Sequence, residues 1–94
     1  MNSEEYYTQH NKPICDVIDY TQDILKNEKF PSSEVWDSFR TSVKCGAQDA
    51  VLESLCGNID DFELILPKEI YDKLIEACHF YSIDECYWQD IKHE

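Results

Sequence analysis

Residues 32–56, SSEVWDSFRTSVKCGAQDAVLESLC, decide the fold class of this chain. Apolar side chains recur three and four positions apart throughout the stretch, which is the spacing of an amphipathic helix. They are Val35, Trp36, Phe39, Val43, Ala47, Ala50, Val51 and Leu55. The serines at its start are good N-caps, and Gly57 is a natural end. We therefore predict one helix over the stretch, in which Gly46 marks a kink or a close helix crossing.

Helical patterns also flank this stretch on both sides. The spacing of apolar residues predicts a helix over residues 13–27 and another over residues 67–81, each opened by a proline. The apolar positions are Ile14, Val17, Ile18, Thr21, Ile24 and Leu25 in the first, and Ile70, Tyr71, Leu74, Cys78 and Tyr81 in the second. Ser82 and Glu85 have the spacing of a capping box, which predicts a last short helix over residues 83–92.

Residues 58–66 do not favour a single state. Asn58 could cap a short helix, whereas Phe62, Leu64 and Leu66 alternate in the manner of a strand. The residue before Pro67 is biased towards extended backbone. Because no partner strand is evident, we predict a short helix or an extended connector here.

The predicted fold is an all-α compact bundle of four to five helices, with a short extended segment near 62–66 as the alternative. Residues 13–94 form a single acidic domain, and residues 1–12 are expected to be loosely ordered. The predicted core contains Val17, Ile18, Leu25, Trp36, Phe39, Val43, Val51, Leu55, Leu74 and Cys78. Truncating a buried Trp or Phe costs about 3–5 kcal/mol, so we expect Trp36→Ala or Phe39→Ala to unfold the domain or nearly so.

Acidity is the strongest feature of the composition. Twenty Asp and Glu stand against eight Lys and Arg, for a formal net charge of −12. Such a field repels nucleic acids and anionic membranes, and it attracts basic proteins. The chain has no long apolar run and no apolar stretch at its start, so the sequence predicts neither a membrane span nor a signal peptide. We expect a cytoplasmic protein.

No arrangement of residues predicts catalysis, a cofactor or a metal site. His10 and His93 lie near the ends of the chain, and Cys78 and His79 are adjacent, so a helix would not let them face each other. The five cysteines contain no CxxC and are expected to be free thiols that pack as small hydrophobes. Asp60, Asp61 and Glu63 lack the calcium-loop pattern, so they are interpreted as a solvated acidic connector. We predict a binding protein without enzymatic activity and without a cofactor.

Rows of carboxylates on the predicted helices give the acidity a possible use. Acidic residues three or four apart on a helix lie about 5–6 Å from each other, which is comparable to the spacing of phosphates in a nucleic-acid strand. The predicted partner-binding residues are Asp16, Asp19, Asp23, Glu69, Asp72, Glu76, Asp84, Glu85 and Asp90. For any single row, the polar face that every amphipathic helix needs is the competing interpretation.

Two stretches resemble the small acidic helical DNA-mimic proteins of bacteriophages, such as the Ocr-type inhibitors of restriction enzymes. Residues 19–27, DYTQDILKN, are similar to an early helix of that group, and residues 36–51, ending QDAV, are similar in pattern to the helix that follows. Together they cover about a third of the chain. The resemblance implies an inhibitor that occupies the nucleic-acid groove of a defence enzyme.

These observations lead to one expected function and to alternatives. The first is a phage or mobile-element anti-defence factor that inhibits a basic nucleic-acid-handling protein in the bacterial host, with restriction enzymes, CRISPR effectors and polymerase factors as possible targets. The second is an immunity protein or antitoxin that neutralises a cationic nuclease toxin. The third is a non-catalytic adaptor subunit whose acidity is incidental and whose binding would be apolar and insensitive to salt.

Overall fold

The computed structural model describes residues 7–94, and this part of the chain is an all-α bundle, as predicted. It also contains one very short sheet, which the sequence did not predict. The helices are α1 (Lys12–Leu25), α2 (Ser33–Lys44), α3 (Gln48–Asp61) and α4 (Lys68–Phe80). A π-helical turn at Tyr7–Asn11 leads into α1, and a 3-10 turn at Glu85–Tyr87 follows α4. The strands β1 (Ile65–Leu66) and β2 (Lys92–His93) pair in parallel.

Helix α1 is central to the bundle, since it packs against α4, α2 and α3. Its inward face carries Ile14, Val17, Ile18, Thr21 and Leu25. Thr21 is accommodated there because its hydroxyl donates a hydrogen bond of 2.7 Å to the carbonyl of Val17. The predicted core is confirmed at every position except Phe39, which is half-buried and packs edge-on against the buried Trp36.

The prediction of one continuous helix over residues 32–56 is wrong, because the chain breaks after Lys44. Gly46 has a φ of +92°, a left-handed backbone conformation that residues with a Cβ atom rarely adopt. The Ala47 amide reaches back to the carbonyl of Ser42 at 2.9 Å and closes the turn. The helical spacing of apolar residues continues on both sides of the break because α2 and α3 each bury an apolar face against the rest of the bundle.

The prediction that Gly57 ends a helix is wrong. Helix α3 continues through it to Asp61, which brings Ile59 into the core. The chain turns only at Glu63, whose φ is 52°. The burial of Ile59 outweighs the weak helix propensity of a single glycine, which is about 1 kcal/mol below that of alanine.

The predicted last helix over residues 83–92 is also absent. Asp84 accepts a hydrogen bond from the Cys86 amide at 2.9 Å and starts a 3-10 turn instead, and β2 then pairs with β1. The sequence offered β1 no evident partner, because the partner lies at the far end of the chain. Ile83 and Ile91 are both buried, so the segment is anchored to the core at its two ends.

The N-terminal segment predicted to be loosely ordered includes the π-helical turn at Tyr7–Asn11; residues 1–6 lie outside the described residues. Asn11 is buried, and its side-chain oxygen accepts a hydrogen bond of 3.1 Å from the side-chain amide Nε2 of Gln48 on α3. None of the four helices has the length and apolar character that crossing a lipid bilayer needs.

Candidate functional site

Positive charge is distributed very unevenly along the chain. Segments 45–67 and 74–91 contain nine of the acidic residues and no Lys or Arg. The fold brings these segments together, because α3 contacts the 3-10 turn at Glu85–Tyr87. One side of the molecule is therefore acidic with almost no cations, whereas the remaining helices carry both signs.

We call this side the acidic face. It consists of Glu53, Asp60, Asp61, Glu63, Asp84, Glu85 and Asp90, all exposed except the half-buried Glu53. Glu53 and Asp60 are seven residues apart on α3 and so lie on the same stripe of the helix. Lys92 is the cation that pairs with this face in the described residues, at 3.8 Å from Glu63.

Asp60, Asp61 and Asp90 border a depression of about 350 Å³ on the acidic face, and the lining of the depression also includes the Lys92 side chain. Their carboxylates form no hydrogen bond or ion pair within residues 7–94. Asp60 and Asp61 also end α3, where the helix dipole already presents negative charge. The arrangement works against folding stability, and no cation within α3 offsets it.

The predicted row on α1 is largely neutralised by neighbouring cations. Asp16, expected to be exposed, is instead only 24% exposed and lies between Lys12 at 3.0 Å and Lys73 at 2.9 Å. Asp19 is exposed but bonds to Arg40 of α2 at 2.6 Å. The third member, Asp23, is 73% exposed and has Lys26 at 3.5 Å.

The predicted row on α4 is divided between paired and unpaired carboxylates. Asp72 lies 2.7 Å from Lys68, and Glu69 lies 3.7 Å from Lys73. Glu76 has no hydrogen-bonding or ionic partner in the described part of the chain, and it borders a separate cleft between α4 and the N-terminal turn.

The three C-terminal predictions, Asp84, Glu85 and Asp90, are all on the acidic face. Asp84 also has a local role, because hydrogen bonds from Cys86 lower the pKa of its carboxyl group. The structure therefore brings this predicted group together with the acidic residues of α3. It does not join them to the two rows on α1 and α4.

Sequence reasoning missed the contribution of α3. Asp60 and Asp61 were interpreted as part of a solvated connector because Gly57 was expected to end the helix. A usable signal was present, since residues 45–67 and 74–91 lack Lys and Arg altogether. The acidic residues of these two segments can be recognised as one surface only when the segments are known to pack together.

The other candidate chemistry does not form a site. Among residues 7–94, no three His, Cys, Asp or Glu side chains are grouped so as to hold a metal ion. Cys45 and Cys86 are exposed, and Cys56 and Cys78 are buried with their sulfur atoms 3.9 Å apart. Contact with Cys78 and burial both raise the pKa of the Cys56 thiol, so this thiol stays protonated and apolar in character.

Comparison of this chain with models of known protein families, with curated proteins and with solved structures finds no significant match.

Proposed function

We propose that this protein binds a basic, nucleic-acid-handling protein and inhibits it by occupying the surface that would otherwise hold nucleic acid. The observation that carries the proposal is the acidic face, in which Asp60, Asp61 and Asp90 have no cationic partner in the described residues. Unpaired carboxylates are the groups on which a partner's Lys and Arg can act most strongly. In this proposal the protein is an anti-defence factor of a phage or mobile element, acting in the cytoplasm of a bacterial host.

The physical basis is charge complementarity with a surface built for phosphates. A nucleic-acid-binding groove presents Lys and Arg to the backbone, and a rigid acidic protein surface attracts the same groups. Long-range attraction speeds encounter, and charge pairs that lose water at the centre of the interface slow dissociation. The same field keeps the protein itself from binding nucleic acid or anionic membranes.

The rows on α1 and α4 have a smaller part in the proposal. Asp16, Asp19 and Asp72 already form ion pairs within the chain at 2.6–2.9 Å. A partner would have to compete with those cations, so each carboxylate contributes less than an unpaired one. We therefore place the centre of the interface on α3 and the segment around Asp84–Asp90.

The direct experiment is capture from a bacterial lysate that has first been treated with nuclease, using the immobilised chain. We expect it to retain proteins that bind DNA or RNA, and excess duplex or single-stranded nucleic acid to release them. Retention should fall steeply as salt is raised, because exposed charges are screened over about 8 Å at physiological ionic strength. Retained proteins that do not bind nucleic acid, or that excess nucleic acid does not displace, would overturn the proposal.

A second candidate is an immunity protein or antitoxin that neutralises one cationic nuclease. It is favoured by two exposed apolar side chains beside the acidic residues, Phe62 at 37% and Ile65 at 59% exposure. Apolar anchors of this kind contribute binding that salt does not screen. Binding to a single nuclease that persists at high salt, together with a toxin gene directly upstream, would favour this candidate over the first.

A further inference from the structure

A second concave surface shares no lining residue with the depression on the acidic face. It is a cleft of about 280 Å³ between the C-terminal half of α4 and the turn that precedes α1. Lys73, Glu76, Ala77 and Phe80 follow helical spacing along one face of α4, and Ala77 leaves a recess between the longer side chains. Tyr81 and the N-terminal turn, with His10, close the sides.

The walls of the cleft are aromatic. The ring of His10 stacks on Phe80 with the centroids 4.0 Å apart and the planes 20° from parallel. Phe80 in turn meets Tyr81 edge to face, with the centroids 4.9 Å apart. Phe80 nonetheless remains 53% exposed, which leaves aromatic surface available to a ligand.

The charges at the cleft favour a cation. The ammonium of Lys73 lies 2.9 Å from Asp16, which it shares with Lys12, and 3.7 Å from Glu69, so these two carboxylates offset the charges of the two lysines. Glu76 adds a carboxylate that has no partner in the described residues. An anion would therefore meet net negative charge, and a cation with a flat or apolar body would meet both complementary charge and aromatic surface.

We propose that this cleft binds the guanidinium group of an arginine side chain presented by the basic partner, a step that rests on the proposed function. A guanidinium is planar, stacks on aromatic faces and is less strongly hydrated than an ammonium. It would lie against Phe80 and Tyr81 with Glu76 as its counter-charge. The cleft is thus a second contact point that holds one arginine, apart from the broad electrostatic contact at the acidic face.

The test uses small probes and the full chain, with no partner protein present. The isotopically labelled chain is titrated with acetyl-Gly-Arg-Gly-amide and with the same tripeptide carrying lysine or citrulline, a neutral isostere of arginine. We expect the arginine peptide to shift the amide resonances of residues 73–81 saturably, the lysine peptide to bind more weakly, and the citrulline peptide to bind at least about tenfold more weakly.

Two substitutions and one control locate the binding. Glu76→Gln and Phe80→Leu should each weaken arginine-peptide binding about threefold to tenfold. Glu28→Gln removes the same charge from an exposed position in the connection between α1 and α2, outside both the cleft and the acidic face, and should leave binding unchanged. Both Glu76 and Phe80 are exposed, so the variants keep the buried core. The Glu76→Gln and Glu28→Gln variants alone decide the question if Phe80→Leu perturbs the fold.

Three results would overturn the assignment. These are equal shifts from the citrulline and arginine peptides, a lysine peptide that binds as tightly as the arginine peptide, or a Glu28→Gln variant that loses as much binding as Glu76→Gln. The last would show general attraction to an acidic protein. Failure here is distinguishable from failure of the proposed function, because capture of a nucleic-acid-binding protein through the acidic face does not require the cleft.

Discussion

The Nζ atom of Lys73 on α4 lies 2.9 Å from one carboxylate oxygen of Asp16 on α1, and the Nζ atom of Lys12 lies 3.0 Å from the other. This half-buried carboxylate joins the two helices that pack most extensively in the bundle. Burial raises the pKa of Asp16, but the hydrogen bonds and charges of Lys73 and Lys12 outweigh it. The pKa in the folded protein is therefore below the ordinary value of 3.8.

We expect Asp16→Asn to lower the free energy of unfolding at neutral pH by at most about 1 kcal/mol. A lowered folded-state pKa gives stability that is present above 3.8 and is lost as the pH falls through the folded value. The difference between the variant and the parent should therefore vanish in strong acid. Urea denaturation at neutral and acidic pH measures it, with the exposed Asp23→Asn as the control. A difference that persists in acid would show that the loss is not electrostatic.

Trp36 and Phe39 should differ in their importance for stability, although both belong to the predicted core. Trp36 is 1% exposed, and Phe39 is half-buried against its edge. Trp36→Ala should lower the free energy of unfolding by about 3–5 kcal/mol, and Phe39→Ala should lower it by clearly less. Thermal melts followed by far-ultraviolet dichroism can rank the two variants. A Phe39→Ala variant as unstable as Trp36→Ala would contradict the structure.

Replacing each of the two glycines by alanine should change the free energy of unfolding in opposite directions. Gly46 has a φ of +92°, so Gly46→Ala strains the backbone and should destabilise the protein by about 1–2 kcal/mol. Gly57 is inside α3 with open space around the added methyl group, so Gly57→Ala should stabilise it by about 0.5–1 kcal/mol. Urea denaturation of each variant measures both. If Gly57→Ala were destabilising, helix α3 would not continue through this position.

These glycines show where sequence reasoning succeeded and where it failed. The apolar period correctly gave the helical fold and its core, because both depend on local spacing and on burial. We expected the helix to end at Gly57 and only to kink, or to cross another helix closely, at Gly46. In the structure the helix breaks at Gly46, and the next helix continues through Gly57. The choice depends on which residues the bundle buries, and Ile59 beyond Gly57 is such a residue.

The candidate site was predictable only in part, for a similar reason. Asp84, Glu85 and Asp90 were identified from local acidity and lie on the acidic face. Asp16 and Asp19 were expected to be free, but Lys73 of α4 and Arg40 of α2, both distant in the sequence, pair with them. Likewise β1 pairs with the end of the chain. Long-range pairing of this kind leaves no periodic pattern in one sequence. The second cation of Asp16, Lys12, is four residues away on α1, so the sequence spacing could have indicated that pair.

The cysteines should fall into two reactivity classes. Cys45 and Cys86 are exposed and should be alkylated by iodoacetamide in the native protein, whereas Cys56 and Cys78 are fully buried and should react only after unfolding. Asp84 raises the pKa of the Cys86 thiol, chiefly through a hydrogen bond. Because the thiolate is the reactive form, Asp84→Asn should speed alkylation of Cys86 and leave Cys45 unchanged.

Peptide mapping by mass spectrometry at successive times measures each of these rates. Native labelling of Cys56 as fast as that of Cys45 would mean that α3 and α4 do not enclose it. An unchanged rate at Cys86 in the Asp84→Asn variant would show that the carboxylate does not act on that thiol.

The sharpest test of the acidic face compares two variants of equal charge. One carries Asp60→Asn, Asp61→Asn and Asp90→Asn, and the other carries the same change at the three α1 positions, Asp16, Asp19 and Asp23. Each loses three negative charges, so both keep the same net charge, and general attraction to a basic partner falls equally. Only the position of the lost charges differs. The first variant loses carboxylates that are unpaired in the described residues, and the second loses carboxylates that form ion pairs.

We expect the first variant to bind the captured partner at least about tenfold more weakly, which corresponds to about 0.5 kcal/mol per charge. The α1 variant should remain within about threefold of the parent, because its carboxylates already interact with cations of the chain. Dichroism confirms that both variants fold, and binding is measured at low and high salt. Equal losses would mean that only the net charge matters. A larger loss in the α1 variant would move the interface to the rows that the sequence predicted.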